Sequence, residues 1–415
     1  MDPATARDRL RTLLDLDTTA EPTGHLAALP AAPAGGGPVE VSLHGGEDEP
    51  IPAFLLRPDP SAANGAAVVL IAGHGRGIDD LVRTDPVDEY HDGLAHKLVG
   101  DGFTVLCPEM LSFGRRRFPR AAGQVPYEAA ENSCGIDAAR FLLHGRPLMG
   151  RRVADARTAV QALRALPGID PERVGVAGGS GGGAVSLLLA ASDPTIPAAL
   201  VASYFCSFAA SLCSIRHCPC NIIPGLLPEL EMADIAALVA PRALILEAGE
   251  RDHIFPIAAT RESFARLAPV WEALGARPPG LVLLGEEHAA VDDHELAGVL
   301  EHRHVAAHLA ETAQGGDAHA VAGQAGRGGE LASGRGHEGV SIVEGSGSQV
   351  CEGARDSAVA ATSTPQTYVS HARFPHPCRI DHVRSGPVRA WAVPLPAPPA
   401  GPPATFRPRR HGRDR

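Results

Sequence analysis

A serine lies at the centre of a short glycine-rich run, Gly178–Gly182, where its hydroxyl could act as a nucleophile. The run follows an apolar stretch, Val174–Ala177, that is typical of a strand, and precedes Ala184–Ala190, which is typical of a helix. In such a turn the serine is held at strained backbone angles, so its neighbours must be small. The helix start then brings the N–H of Gly181 to the oxygen that becomes negative during acyl transfer. Ser180 is therefore the predicted nucleophile, and Gly181 supplies one predicted oxyanion donor.

The same glycines also fit a dinucleotide-binding pattern, G-x-G-x-x-A, at Gly179, Gly181 and Ala184. That alternative requires an acidic residue about 20 positions further on, at the end of the next strand, to bind a ribose hydroxyl. The next apolar run ends at Ser203–Cys206 and carries no carboxylate there. The pattern therefore favours a nucleophilic serine over a nucleotide site.

A serine hydroxyl reacts slowly at neutral pH unless a base takes its proton and an acid orients that base. Asp252 follows the apolar run that ends at Glu247, and it is the predicted acid. His288 follows the last apolar run and is the predicted base, although His294 and His302 lie close behind it. The order serine, acid, histidine is the one expected for a nucleophile on a strand-to-helix turn.

A second glycine-rich loop, Gly73–Gly77, follows the apolar run that ends at Ala72. A loop at this position can supply the other backbone donor for an oxyanion. The N–H of Arg76 is the predicted donor. The alternative is that the loop is only a flexible connection after a strand.

The elements that must position these residues are short apolar runs that alternate with helical segments, which is typical of a parallel sheet covered on both faces. An acidic turn joins two further runs into an antiparallel pair at one edge. The sequence therefore predicts an α/β fold with a mostly parallel, eight-stranded sheet and helices on both faces. The eight predicted strands are Val39–Leu43, Ile51–Leu56, Ala67–Ala72, Phe103–Cys107, Val174–Ala177, Ala198–Tyr204, Ala243–Glu247 and Leu281–Leu284.

Three regions are predicted along the chain. Residues 1–38 form a helical lead-in with a linker rich in proline, glycine and alanine, and residues 39–309 form the main domain. Residues 310–415 are rich in glycine, alanine, serine, histidine and arginine, and such a segment buries too little apolar surface to offset its ordering entropy. We expect a disordered tail, and its composition also fits an out-of-frame translation of a GC-rich gene.

Composition limits the class of partner. The formal net charge of −11 disfavours a nucleic-acid partner, which would need a basic surface. The first residues fit neither a signal peptide nor a transit peptide, and no long apolar stretch follows, so we expect a cytoplasmic protein without a membrane partner. In that compartment its 8 cysteines are predicted to be reduced thiols. The oligomeric state cannot be read from the sequence.

A cysteine-rich loop offers a metal site as an alternative, with Cys213, His217, Cys218 and Cys220 as possible ligands. Zinc sites usually space their cysteines by two to four residues and need a second pair elsewhere, whereas this loop offers C-x-C around a proline. We therefore expect no metal and no cofactor. The loop from Cys213 to Leu227, together with Tyr204 and Phe205, is expected to line a substrate pocket.

These residues resemble the α/β-hydrolases of the dienelactone hydrolase and acetyl xylan esterase type over roughly residues 40–290. The resemblance rests on the His74–Gly75 loop, the approach Leu148–Arg152, the Ser180 elbow and the segment Asp252–Pro256. Dienelactone hydrolases proper use a cysteine nucleophile, so the serine favours the esterase side.

The resemblance implies a serine hydrolase that cleaves a small, acetyl-ester-like substrate through an acyl-enzyme. Two alternatives stay open from the sequence. One is a serine peptidase of the prolyl-oligopeptidase type, although no propeller-like repeat precedes the domain. The other is a non-catalytic protein that uses the same fold to bind a ligand or partner.

Overall fold

Apolar runs and helical segments alternate along the chain and build one sheet with helices packed against it. The computed structural model describes residues 1–16, 23–29, 37–45, 49–84, 91, 93–284 and 341–343. The strands in this described part are β1 His25–Leu26, β2 Val39–His44, β3 Ile51–Leu56, β4 Ala67–Ile71, β5 Thr104–Pro108, β6 Val174–Gly179, β7 Ala198–Ala202, β8 Ala243–Gly249, β9 Gly280–Leu284 and β10 Ser341–Val343.

The strands lie in the order β1-β2-β3-β5-β4-β6-β7-β8-β9-β10. The pairings from β5 through β4 and β6 to β9 are parallel. The outer pairings, which involve β1, β2, β3 and β10, are antiparallel. Because the central strands are parallel, their carboxyl ends all meet at one edge of the sheet, and Ser180 and Asp252 both follow strands that end there.

The predicted mostly parallel α/β sheet is confirmed, and each of the eight predicted strands is present. Two short antiparallel strands, β1 and β10, extend the sheet beyond that prediction. A strand as short as β1 carries no readable periodicity. Strand β10 falls inside the segment predicted to be disordered, and the rest of residues 310–415 lies outside the described residues.

Helices cover both faces of the sheet, as predicted. They are α1 Pro3–Leu13, α2 Leu94–Gly100, α3 Cys134–Leu143, α4 Leu148–Arg164, α5 Gly181–Ser192, α6 Met232–Ala237, α7 Ile257–Ala265 and α8 Ala268–Ala273. Helix α2 contributes to the core on one face, and the remaining helices contribute to the larger core on the other. Every residue of α5 is buried, so this helix lies at the centre of the larger core. Among the described residues, no helix has the length and apolar character that crossing a membrane would require.

Helix α1 is tied to the end of α5 by two arginines. Arg7 donates to the carbonyl oxygens of Ala191, at 3.1 Å, and Leu238, at 2.9 Å. Arg11 donates to the carbonyl oxygen of Ser192 at 2.7 Å. The last carbonyls of a helix lack intrahelical partners and carry partial negative charge, so cationic side chains stabilise them. The amino-terminal helix is therefore an integral part of the packed unit.

The turn between β6 and α5 packs directly against the end of β4. A Cβ atom on Gly182 would lie 2.0 Å from the carbonyl oxygen of Ile71 and 2.9 Å from that of Ala72. A Cβ atom on Gly178 would lie 2.8 Å from the Ile71 oxygen. Real side chains do not come so close to backbone atoms, so only glycine allows this approach. The close packing fixes the position of Ser180 relative to β4.

A buried carboxylate joins the loops that follow β4 and β5. Glu109 is 0% exposed, and it accepts hydrogen bonds from the backbone N–H groups of Ile78 and Arg115, each at 3.2 Å. Burial raises the pKa of Glu109 to about 7, although these hydrogen bonds and the Arg115 guanidinium lower it. Glu109 therefore links Ile78, which follows the loop Gly73–Gly77, to Arg115 in the loop after β5.

We expect Gly182→Ala to destabilise the fold by about 1–3 kcal/mol, because its Cβ atom would push α5 away from β4. The measurement is denaturant unfolding followed by far-ultraviolet circular dichroism. The matched control is Gly100→Ala, also in a helix, where an added Cβ meets nothing within 4 Å. Equal unfolding midpoints for the two variants would contradict the close packing.

The pKa of Glu109 predicts a pH dependence of stability. Between about pH 4.5 and 7 the unfolded chain has released this proton while the folded chain keeps it, so stability falls as the pH rises and levels off above about 7. Glu109→Gln cannot ionise, so the wild type should lose up to about 3 kcal/mol relative to it across this window.

Unfolding free energies of both proteins at pH 5, 6, 7 and 8 test this prediction. A hydrogen bond weakened by the substitution shifts stability equally at every pH and drops out of the comparison. Glu128→Gln, at an exposed position, is the control and should run parallel to the wild type. Parallel curves for Glu109→Gln as well would show that its carboxyl is ionised throughout.

Candidate active site

Ser180 occupies a strained turn between β6 and α5. Its backbone angles are φ 50° and ψ −114°, a region that non-glycine residues rarely adopt and that costs about 1–3 kcal/mol. Its N–H donates to the carbonyl oxygen of Ala202 at 2.9 Å, and its carbonyl oxygen accepts from the N–H of Ala184 at 2.9 Å. The residue is only 6% exposed. Both backbone groups are thus bonded, and the side chain is held at the carboxyl edge of the sheet.

The N–H of Gly181, a predicted oxyanion donor, is the first of helix α5. The first N–H groups of a helix have no intrahelical acceptor, and they lie at the positive end of the helix dipole. The imidazole of His74 lies next to this residue, since a Cβ atom on Gly181 would be 3.1 Å from His74 Nδ1. The same position would be 3.6 Å from the ring of Phe113, so there is little space beside Gly181.

The N–H of Arg76, the other predicted oxyanion donor, already has a partner. It donates to Oδ2 of Asp80 at 2.7 Å, within the loop that follows β4. Sequence reasoning gave no sign of this bond, because Asp80 lies in the short 3-10 turn Gly77–Asp80 and folds back on the loop. An oxyanion can reach the Arg76 amide only if Asp80 releases it, so the role of Arg76 stays a prediction that needs this movement.

Asp252 follows β8 and is fixed by its own turn. Its Oδ1 atom accepts hydrogen bonds from the N–H groups of Ile254, at 2.7 Å, and Phe255, at 3.0 Å, and the residue is 7% exposed. In the sheet Gly179 pairs with Ala202, which pairs with Glu247 of β8. The chain therefore reaches Ser180 and Asp252 from the ends of two strands that flank β7, about 10 Å apart by the usual strand spacing.

His288, the predicted base, lies outside the described residues, as do His294 and His302. The last described strand before them, β9, pairs in parallel with β8, with Leu284 opposite Gly249. The chain therefore leaves β9 at the edge of the sheet where it also leaves β8 for Asp252. The role of His288 as the base stays a prediction.

Another histidine, His217, lies close to Asp252. Its Nε2 atom is 2.7 Å from the hydroxyl of Ser211, and its ring packs edge-on against Phe255 at 5.3 Å between centroids. Burial lowers the pKa of His217, while the backbone oxygen of Ile254 and the charge of Asp252 raise it. Sequence reasoning considered this histidine only as a metal ligand, and the structure instead packs it against the segment that carries Asp252.

Two cysteines of the cysteine-rich loop lie beside His74 and Cys134, which are distant from them in sequence. The ligand atoms of His74, Cys134, Cys218 and Cys220 all lie within 4.8 Å of one another. Of the four ligands considered from the sequence, Cys218 and Cys220 belong to this cluster, whereas Cys213 is exposed and His217 bonds to Ser211. The second pair that a metal site needs comes from His74 and Cys134, which no local spacing links to the loop.

A separate cavity of about 530 Å³ lies in the segment Phe118–Ile136, before and at the start of α3. Phe118, Tyr127 and Ile136 are among its walls. Its lining includes neither Ser180 nor Asp252. The two aromatic residues predicted to shape the pocket, Tyr204 and Phe205, are both buried, and Tyr204 contacts Phe255 at 5.4 Å between ring centroids.

Comparison with known proteins identifies similar proteins that are named as hydrolases or esterases. The protein named "Putative hydrolase YtaP" from Bacillus subtilis (strain 168) is 25% identical over 239 residues, which are 55% of this chain and 74% of that protein. The crystal structure described as "a putative acetyl xylan esterase" from Bacteroides fragilis NCTC 9343 is similar with a TM-score of 0.52 and 16% identity, over 66% of this chain and 71% of that chain.

A glucuronoyl esterase of carbohydrate esterase family 15 from Caldicellulosiruptor kristjansonii has a TM-score of 0.48 and 14% identity, over 75% of this chain and 86% of that chain. At 16% identity the acetyl xylan esterase structure bears on the fold alone. The sequence model of the dienelactone hydrolase family matches residues 51–267, which is more than half of the chain and contains Ser180 and Asp252. The chain therefore belongs to the dienelactone hydrolase family.

Proposed function

We propose that this protein is a serine carboxylic-ester hydrolase that acts through an acyl-enzyme on a small, acetyl-ester-like substrate. The observation that carries the proposal is the backbone of Ser180, held at φ 50° and ψ −114° between a strand and a helix. A fold keeps such a strained serine where the hydroxyl has to be presented to a substrate. Family membership and the hydrolase relative support the same class of reaction.

In the first half of the proposed reaction, Ser180 Oγ attacks the carbonyl carbon of the ester. His288 accepts the hydroxyl proton, and Asp252 orients the imidazole and stabilises its positive charge. The carbonyl oxygen becomes an oxyanion that the Gly181 N–H and the helix dipole stabilise, and the Arg76 N–H joins them if Asp80 releases it. The proton then passes from His288 to the departing alcohol, which leaves the acyl group on the serine.

In the second half, a water molecule gives its proton to His288 and attacks the acyl carbon. The tetrahedral intermediate collapses, and the serine recovers its proton as the carboxylic acid leaves. The same base therefore serves twice, so its loss should slow both halves. The narrow space beside the elbow, bounded by His74 and Phe113, favours a short acyl group such as acetyl.

The nucleophile is tested by labelling with a fluorophosphonate and by turnover of p-nitrophenyl acetate. Ser180→Ala should lose labelling and lower kcat by on the order of 10³-fold or more, because no hydroxyl remains to form the acyl-enzyme. Ser186→Ala is the matched control, since this serine lies in the same helix, is 0% exposed and should not react. Equal labelling of wild type and Ser180→Ala would remove the proposal.

The acid and the base are tested with the same ester. Asp252→Asn keeps an oxygen for the Ile254 and Phe255 amides but loses the charge, so kcat should fall by on the order of 10²–10⁴-fold with the fold intact. His288→Ala should cause a similar loss, whereas His294→Ala should not. A loss confined to His294→Ala would move the role of base to that residue.

Parallel assays on peptide anilides separate an esterase from a peptidase. Turnover of the anilide with no turnover of the ester would favour a serine peptidase. A wild-type protein with neither activity and no labelling would leave the ligand-binding role instead.

A further inference from the structure

Four side chains that could bind a metal converge from three separate parts of the chain. His74 lies in the loop after β4, and Cys134 is the first residue of α3. Cys218 and Cys220 flank Pro219 at the short turn Pro219–Asn221. Their ligand atoms all lie within 4.8 Å of one another. Three thiols and one imidazole are the ligand set of many structural zinc sites.

The spacing of the atoms fits tetrahedral coordination. With Zn–S bonds of about 2.3 Å and Zn–N bonds of about 2.0 Å, neighbouring ligand atoms of a tetrahedral site lie about 3.5–3.8 Å apart. Nε2 of His74 is 3.3 Å from Sγ of Cys220, and the remaining separations are within the same 4.8 Å limit. A cation at the centre therefore needs changes of about 1 Å or less in the separations of the ligand atoms.

The surroundings of the cluster are those of a buried site. Cys134 and Cys220 are both 0% exposed, and Cys218 is half-buried. The side-chain nitrogen of Asn221 lies 3.7 Å from Sγ of Cys220 and can donate a weak N–H···S bond to a thiolate. Hydrogen bonds of this kind to a metal-bound atom commonly hold the ligand in place.

A buried cation next to the cluster supports three thiolates and a divalent ion. Arg152 is 0% exposed, and its hydrogen bonds go to the carbonyl oxygen of Leu111 and, at 3.1 Å, to Sγ of Cys134. In the described part of the chain no carboxylate forms an ion pair with Arg152, and its Nη1 atom has no hydrogen-bond partner. A buried guanidinium without a negative partner is costly.

The net charge of a zinc site would offset the unfavourable free energy of burying Arg152. A divalent ion with three thiolates and a neutral imidazole carries one net negative charge. Arg152 supplies the one positive charge that balances it. The pairing of this arginine with Cys134, and not with an acid, is therefore explained when the thiols bind a divalent metal.

We propose that His74, Cys134, Cys218 and Cys220 bind one Zn²⁺ ion in a closed, four-coordinate structural site. All four positions are protein ligands, so the metal has no open position for a substrate. The site joins the loop after β4, the start of α3 and the cysteine-rich loop. Because His74 Nδ1 faces Gly181, the bound metal also fixes the position of the imidazole next to the serine turn. The proposal does not depend on the hydrolase reaction.

The test is the metal content of the full-length protein, purified under reducing conditions, incubated with zinc chloride and desalted. Inductively coupled plasma mass spectrometry should find about one zinc per chain in the wild type. Cys218→Ser, at a half-buried ligand, should reduce the content roughly tenfold or more. Cys213→Ser is the matched control, since this cysteine lies in the same loop but is exposed, and it should keep the zinc.

Cobalt provides a second readout that does not require a variant to fold. Replacement of zinc by Co²⁺ in the wild type should give the intense visible bands of tetrahedral thiolate coordination and a thiolate-to-cobalt charge-transfer band. Ser180→Ala should bind zinc and cobalt as the wild type does, which separates this proposal from the proposed reaction.

Two results would overturn the proposal. One is a wild-type protein with free, alkylatable thiols at Cys134, Cys218 and Cys220 and no zinc after incubation. The other is a disulfide between two of these cysteines, detected by mass spectrometry of the non-reduced protein, that persists after reduction and refolding with zinc.

Discussion

The candidate site depends on the contact between the backbone of β4 and two glycines of the serine turn. Gly178 and Gly182 let the start of α5 approach the carbonyl oxygen of Ile71 more closely than any side chain would allow. On the other side, the N–H of Ser180 is bonded to Ala202 of β7. The strained serine is thus held between two strands by backbone atoms, which adjust far less than side chains do. The burial of the whole of α5 supplies the stability that offsets the strain.

The carboxyl edge of the sheet also contains buried ionisable groups, and each has different surroundings. Glu109 accepts two backbone N–H groups and has a pKa near neutrality. Burial raises the pKa of Glu247 well above its usual range, and its Oε1 atom has no hydrogen-bond partner among the described residues. Arg152 bonds to a carbonyl oxygen and a thiol. Ionisable groups with shifted pKa values concentrate at functional edges of such sheets.

The parts of this structure that could be predicted from sequence are those with local causes. The buried strands are continuous apolar runs, and the turn at Ser180 requires small neighbours, so both leave a readable pattern. The parts that could not be predicted depend on residues distant in sequence. Nothing near His74 or Cys134 indicates that the fold brings them to the cysteine-rich loop.

The same limit applies to two further features. The bond from Asp80 to the Arg76 amide depends on how a short turn folds back. The edge strand His25–Leu26 is defined only by its partner β2. In each case the information lies in the three-dimensional arrangement and not in a motif.

Helix α1 is held in place by residues that are synthesised long after it. Arg7 bonds to the carbonyl of Leu238, which follows it by 231 positions. Synthesis at roughly 5–20 residues per second therefore leaves α1 without this partner for on the order of ten to fifty seconds after it leaves the ribosome. During that interval Leu10 and Leu14 lack part of the core that covers them in the folded chain. Helix α1 can therefore reach its final place only after the chain as far as Leu238 has been made, which makes its docking a late event in folding.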